Sequence, residues 1–108
     1  FLLHAITAET ANGQSAGVDQ TVVSTSKGGV AHLHVTAYSG LTSITVKVQD
    51  SADNGTFADI ATFSAATAVG KQRVELASTA TVRRYVRCLW TVAGTGSATF
   101  AVGFARKY

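Results

Sequence analysis

The chain is 108 residues long, 46% hydrophobic and only 14% charged, with nine Lys and Arg against six Asp and Glu. That length holds one core and one domain. The thin charge, ten glycines and abundant Thr, Val, Ala and Ser favour strands and tight turns over helices, whose surfaces draw on Glu, Lys, Arg and Gln. A formal charge of +3, with bases scattered apart from Arg83, Arg84, Arg87 and the Arg106-Lys107 end, falls far short of a nucleic-acid footprint. No apolar run approaches the ~20 residues of a membrane span.

Phe1-Leu-Leu-His-Ala-Ile is too short for a signal peptide and lacks a basic lead. Because the chain opens on Phe and not Met, residues 1–108 are expected to be a single domain taken from a longer chain. Alternation of period two begins at once and recurs, each instance bounded by Gly, Ser, Asn or Asp. Leu2 to Thr10 reads as a first strand, followed by a polar Gly-containing stretch from Ala11 to Gly17. Val18 to Ser24 reads as a second, ended by Ser26-Lys27-Gly28-Gly29. From Val30 to Tyr38, Ala31, Leu33, Val35 and Ala37 alternate with Val30, His32, His34 and Thr36, which predicts one buried and one mostly polar face. Ser39-Gly40 reads as a turn.

Ser43 to Gln49 is the clearest half-buried strand, with Ile44, Val46 and Val48 set against Thr45, Lys47 and Gln49. A turn from Asp50 to Thr56 leads into a short strand from Phe57 to Phe63, and a loop runs from Ala65 to Gly70. Gln72 to Ala77 sets Val74 and Leu76 against Arg73 and Glu75. Val82 to Val92 is long and rich in aromatic and β-branched residues. Ala93-Gly94-Thr95-Gly96 reads as a hairpin turn into Ala98 to Ala105, which puts Phe100, Val102 and Phe104 on one side. Seven or eight short strands without proline predict an all-β, antiparallel β-sandwich.

Few residues in this pattern point to chemistry. Cys88 is alone and alternates with Val86, Trp90 and Val92, so it reads as a small core residue. Asp50, Asp53 and Asn54 before Gly55 offer oxygens to a hard cation, but without a ligand ladder or distal Glu they read as a hydrogen-bonded turn. His32 and His34 share one strand face, and His4 is the remaining histidine. No carboxylate or cysteine spacing completes a metal site, so the pair reads as a polar face or subunit contact. Arg83, Tyr85 and Arg87 share a face, while Arg84 falls with Val86, Cys88 and Trp90. The Arg-Tyr-Arg stripe has the composition of a protein interface and could also stack on a sugar. No nucleophile elbow, phosphate loop or paired carboxylates are found, so no enzyme and no cofactor are expected.

Val46-Lys-Val-Gln-Asp-Ser-Ala-Asp-Asn-Gly-Thr-Phe57, followed by Arg84-Tyr-Val-Arg87, resembles the strand and turn pattern of discoidin-like and other galactose-binding-like jelly rolls. In this chain Asn54 is placed between Asp53 and Gly55. A second resemblance spans nearly the whole chain. His4-Ala-Ile-Thr-Ala-Glu-Thr-Ala-Asn-Gly, Gly28-Gly-Val-Ala-His-Leu-His-Val-Thr-Ala37, Asp50-Ser-Ala-Asp-Asn-Gly-Thr-Phe57, Arg84-Tyr-Val-Arg87 and Phe100-Ala-Val-Gly-Phe-Ala-Arg106 are similar to virion structural proteins of tailed bacteriophages. In that family such a sandwich sits at the C-terminal end of a tail-tube-like protein or decorates the particle.

The resemblance implies a many-copy, non-catalytic role in the virion, on its tail or capsid surface. The implied partners are other copies of the chain and other virion proteins, with neither nucleic acid nor membrane. The contact residues expected are Arg83, Tyr85 and Arg87, then His32 and His34. The alternative is a carbohydrate-binding adhesion module for host-surface glycans, with its site on the Asp50 to Phe57 turn and Tyr85.

Overall fold

Two long strands organise the molecule. A computed structural model describes residues 2–107, without the side chains of residues 22 and 23. Its strands are β1 (Leu2–Glu9), β2 (Gly13–Gln14), β3 (Val18–Thr25), β4 (Gly29–Ser51), β5 (Ala58–Thr62), β6 (Gly70–Glu75) and β7 (Val82–Arg106). No helix occurs among the described residues. β4 and β7, 23 and 25 residues long, pair antiparallel along nearly their whole length, from Gly29 opposite Arg106 to Ser51 opposite Tyr85. A straight strand of that size would extend roughly 75 Å at about 3.3 Å per residue. The longest dimension of the molecule is 40 Å, so the ladder has to fold over.

The fold lies where the sequence suggested two turns. Ser39-Gly40 and Ala93 to Gly96 do not end strands; they form facing corners within β4 and β7, where the register shifts between Ser39 and Leu41 and between Leu41 and Ser43. Gly40 (φ +80°), Gly94 (φ +86°) and Gly96 (φ +152°) supply the left-handed backbone that the corner needs. A Cβ on Gly96 would lie 2.0 Å from the Ser39 carbonyl oxygen and 2.7 Å from the Leu41 nitrogen, so the backbones approach too closely for any side chain there. The Tyr38 hydroxyl bridges the bend by donating to the Leu41 carbonyl at 2.6 Å. Period-two alternation cannot distinguish this corner from a hairpin, because both use glycine between apolar runs.

Folding the ladder makes two sheets. The first runs β1, residues 97–106 of β7, residues 29–39 of β4, then β6. The second runs β3, residues 82–94 of β7, residues 41–51 of β4, then β5, with β2 continuing beside β3 along β7. If each long strand is counted as two and the two-residue β2 is set aside, this is the eight-stranded, two-sheet order of a jelly roll. The core is one cluster between the sheets. Ala31, Leu33, Val35, Phe100, Val102 and Phe104 face Ile44, Val46, Val48, Val82, Val86 and Trp90 across it. Ala37, expected inside, is exposed, because the register slips between Val35 and Ala37 as the strand approaches the corner.

Cys88 and Trp90 lie in the core as their alternation required, and burial pushes the Cys88 thiol up, away from the reactive thiolate. The Trp90 ring meets Phe100 edge-on at 5.7 Å, and its Nε1 donates to the Ala11 carbonyl at 3.0 Å. His4 also belongs to this cluster. It stacks on Phe100 at 4.1 Å, with Nδ1 2.9 Å from the Phe100 carbonyl oxygen and Nε2 3.1 Å from a Glu9 carboxylate oxygen.

Candidate functional site on the outer faces

In an antiparallel ladder, directly opposed residues share a face, so the register fixes what each outer face presents. On the second sheet, Arg87 lies opposite Gln49, Leu89 opposite Lys47 and Tyr85 opposite Ser51. The Arg87 guanidinium sits 3.9 Å from the centre of the Phe57 ring, and its Nε donates to Gln49 Oε1 at 2.9 Å. Gln49 Nε2 in turn donates to Asp59 Oδ1 at 2.7 Å, and Lys47 Nζ reaches the other Asp59 oxygen at 3.2 Å. The Gln49 bond, followed by that of Lys47, pulls the Asp59 carboxyl below its usual range.

Arg84 turns away from the core face where alternation had put it. It grips Asp19 on β3 with Nε and a terminal nitrogen, at 2.7 and 2.9 Å, and lies 5.4 Å from the Tyr85 ring centre. That forked pair, with help from the Thr21 amide, draws the Asp19 carboxyl down to about 2. Arg83 is committed inward. Its amide donates to Asp50 Oδ2 and its guanidinium to Oδ1 and to the Asp50 carbonyl, each at 2.9 Å, while Asp50 is only 3% exposed.

The structure therefore brings Arg83, Tyr85 and Arg87 together on one strand, all half-buried, with both arginines held by groups of their own chain. The Asp50 to Phe57 segment behaves as a turn. Asp53 Oδ1 accepts the amides of Gly55 at 2.9 Å and Thr56 at 3.0 Å and the Ser51 hydroxyl at 2.8 Å, and Asn54 adopts φ +59°. These bonds, those of Thr56 and Gly55 foremost, lower the Asp53 carboxyl to about 2.

The outer face of the first sheet is composed differently. His32 lies between Arg73 on β6 and Gly103 on β7, and His34 between Lys71 and Ala101, while Leu2 on β1 lies beyond Gly103. Both histidines are exposed. His4 points into the core from the same sheet, so the three histidines do not converge, and no metal-holding group of His, Cys, Asp or Glu exists among the described residues. Arg73 pairs with Glu75 at 3.0 Å, and Lys107 reaches the other Glu75 oxygen at 3.4 Å.

Lys71 and Arg73 escaped the sequence reading because strand pairing, not spacing, brings them to the histidines. A third feature, also missed, is an open cleft of about 350 Å³ at the β2 edge, lined by Asn12, Gly13, Gln14, Leu89, Trp90 and Thr91. Gly13 is needed there, since a Cβ would meet the indole at 2.6 Å.

The architecture and these faces define a jelly-roll β-sandwich with a dry core. Most of its polar groups lie on broad open sheets, with His4, Asp50, Ser51 and Arg106 buried. The chain belongs to the Bbp16 family, whose model matches residues 4–104. A comparison with curated proteins finds no match. Among solved structures, the chain is similar to a chain in the structure of infectious bursal disease virus Gx strain. That match is 12% identical with a TM-score of 0.44, and it covers 97% of this chain and 30% of the viral one. The chain is also similar to the crystal structure of the Yersinia pseudotuberculosis-derived mitogen, 10% identical with a TM-score of 0.41, over 95% of this chain and 88% of that one. The chain thus spans less than a third of the viral chain it matches.

Proposed function

We propose that the protein is a structural component of a tailed-phage virion, a non-catalytic β-sandwich present in many copies on the tail or capsid surface. The observation that carries this reading is the free edge of the first sheet. Among the described residues β1 pairs only with β7, and its other edge carries no charge from Leu2 to Ala8 apart from the buried His4. Leu2 and Ile6 stand 63% and 64% exposed on it. Proteins that remain alone blunt such edges with charges, proline, bulges or a covering segment; β1 has register breaks between Leu2 and His4 and between His4 and Thr7 but neither charge nor proline at its exposed positions, and an assembled protein covers such an edge with a neighbour. The jelly roll, an architecture of viral capsid and lectin domains, and the sequence resemblance to phage virion proteins agree with that use.

Purified particles of the encoding phage test the reading. Quantitative mass spectrometry should find the chain in stoichiometric, many-copy amounts, and cryo-electron microscopy should place it in a symmetric array. Its absence from washed particles overturns the proposal.

The cleft beside Trp90 favours a second reading, a carbohydrate-binding module. Its lining is uncharged, and Asn12, Gln14 and Thr91 offer amide and hydroxyl groups beside an aromatic ring, as neutral sugars require. Glycan-array retention that Gln14→Ala abolishes would support it; no retention on any glycan would remove it.

A further inference from the structure

The acidic side chains of the protein are all committed internally. Glu9 meets His4, Asp19 meets Arg84, Asp50 meets Arg83, Asp59 meets Lys47 and Gln49, Glu75 meets Arg73 and Lys107, and Asp53 caps its own turn. Lys71 has no such partner among the described residues. The register sets it beside His34, with Arg73 beside His32 on the adjacent row. Neighbouring strands lie about 5 Å apart and alternate residues about 7 Å apart, so these four basic groups fill one small rectangle. Gly103 and Ala101 beside the histidines keep the sheet low, and an approaching surface can come close to the backbone there.

We infer that this face, centred on His32, His34 and Lys71, docks a carboxylate-rich surface of a different protein. The inference rests on the structural reading above in taking that partner from the same particle. A second copy of the chain does not fit, because its Asp and Glu side chains are all engaged and it would oppose cations to cations. Nucleic acid fits less well, since among the described residues the face has only two Lys or Arg side chains and no aromatic ring on which a base could stack. The groups facing the imidazoles are Arg73 and Lys71 from β6, uncharged Gly103 and Ala101 from β7 and Leu2 from β1, while Glu75 is held by Arg73 and Lys107.

The test has two arms. In the first, the purified chain is titrated with poly-L-glutamate and, separately, with a short DNA duplex, and backbone amide shifts are followed. Poly-L-glutamate should move residues 30–34, 71–73 and 101–103, with affinity falling as salt rises. Lys71→Glu should weaken binding by about tenfold, whereas Lys27→Glu, an equal change in net charge at the exposed β3–β4 turn, should leave it unchanged. Shifts elsewhere, no shifts, equal weakening by the two variants or tighter binding of DNA would overturn the inference. In the second arm, particles are grown with each variant and the copies per particle are counted. Lys71→Glu, or the milder Lys71→Gln if the first fails to fold, should reduce occupancy and Lys27→Glu should not. If the unaltered chain is missing from particles, the structural reading itself fails; if Lys71→Glu and Lys71→Gln both load normally, only the docking face fails.

Discussion

The two outer faces use similar residues to opposite ends. On the second sheet, Lys47, Arg84 and Arg87 are each engaged by a carboxylate, an amide or an aromatic ring of the same chain, and at the end of that sheet Arg83 is tied to buried Asp50. On the first sheet, His32, His34 and Lys71 share a face, among the described residues, with only one carboxylate, that of Glu75, which Arg73 and Lys107 already hold. Composition counts both sets as basic residues with polar neighbours. What separates them is which strand lies alongside. β5 and β3 bring Asp59 and Asp19 to the second sheet, whereas β6 brings further cations to the first. The difference shows that a cluster of arginines in sequence is a poor guide to an available surface, because arginines that fold well are those already paired.

The sharpest way to break this contrast is to remove Asp50. Asp50→Ala removes the carboxylate that accepts from the Arg83 amide and guanidinium, leaving the guanidinium only the backbone carbonyl of residue 50, and should cost about 2–3 kcal/mol by urea unfolding. That is below the cost of breaking a fully buried pair, because the Arg83 side chain is 35% exposed and water takes up part of its charge. A loss under about 0.5 kcal/mol would show that the second sheet does not depend on its pairs. Arg87→Ala should cost about 1 kcal/mol through the Phe57 contact and the Gln49 bond together. Arg87→Lys should recover little of it, since an ammonium cannot lie flat on the ring while donating sideways. A double-mutant cycle with Phe57→Leu would isolate the stacking share.

Acid should act on the paired groups next. Asp19 and Asp53 both fall from 3.8 to about 2 on folding, Asp19 chiefly through Arg84 and Asp53 through the Thr56 and Gly55 amides. Carboxyls depressed by folding contribute stability that is complete above their unfolded value and lost as pH falls through the folded one. The melting temperature should therefore drop between about pH 4 and about pH 2. Arg84→Ala removes the main cause of the Asp19 shift, so it should lower the plateau and flatten the drop. An unchanged slope in Arg84→Ala would place the acid sensitivity elsewhere.

Much of the framework was legible in the sequence, and the reason is physical. Ile44, Val46 and Val48 alternate with Thr45, Lys47 and Gln49 because one face is dry and the other wet, and each of those apolar residues is fully buried. Cys88 and Trp90 follow by the same rule. The corners were not legible, because Gly40 and Gly94 mark a change of direction without saying whether the ladder ends or bends. Arg84 departs from the alternation where the β3–β7 register breaks opposite it, between Asp19 and Ser24, and its guanidinium reaches the Asp19 carboxylate, an event local to the partner strand. The site suffered most from this limit. His32 and His34 were visible as a pair, but Lys71 and Arg73 are nearly forty positions away and join them only through the β4–β6 register. Strand pairing carries that information, and no spacing in one strand encodes it.

The smallest expected effect is the one that separates a docking face from a packed one. His32→Ala, His34→Ala and Lys71→Ala should each change stability by no more than about 0.5 kcal/mol, since the side chains are exposed and Lys71 has no bond to lose among the described residues. Near-neutrality has a definite meaning here. Residues that stabilise a monomer are retained for folding, and Arg83 needs no other explanation. Polar side chains are ordinary on the wet face of a sheet, so near-neutrality would mark His32, His34 and Lys71 as available to a partner and not as determinants of the fold. If chemical unfolding showed a loss above about 1 kcal/mol for any of the three, that residue would belong with the second sheet's paired groups, and the contrast between the faces would collapse.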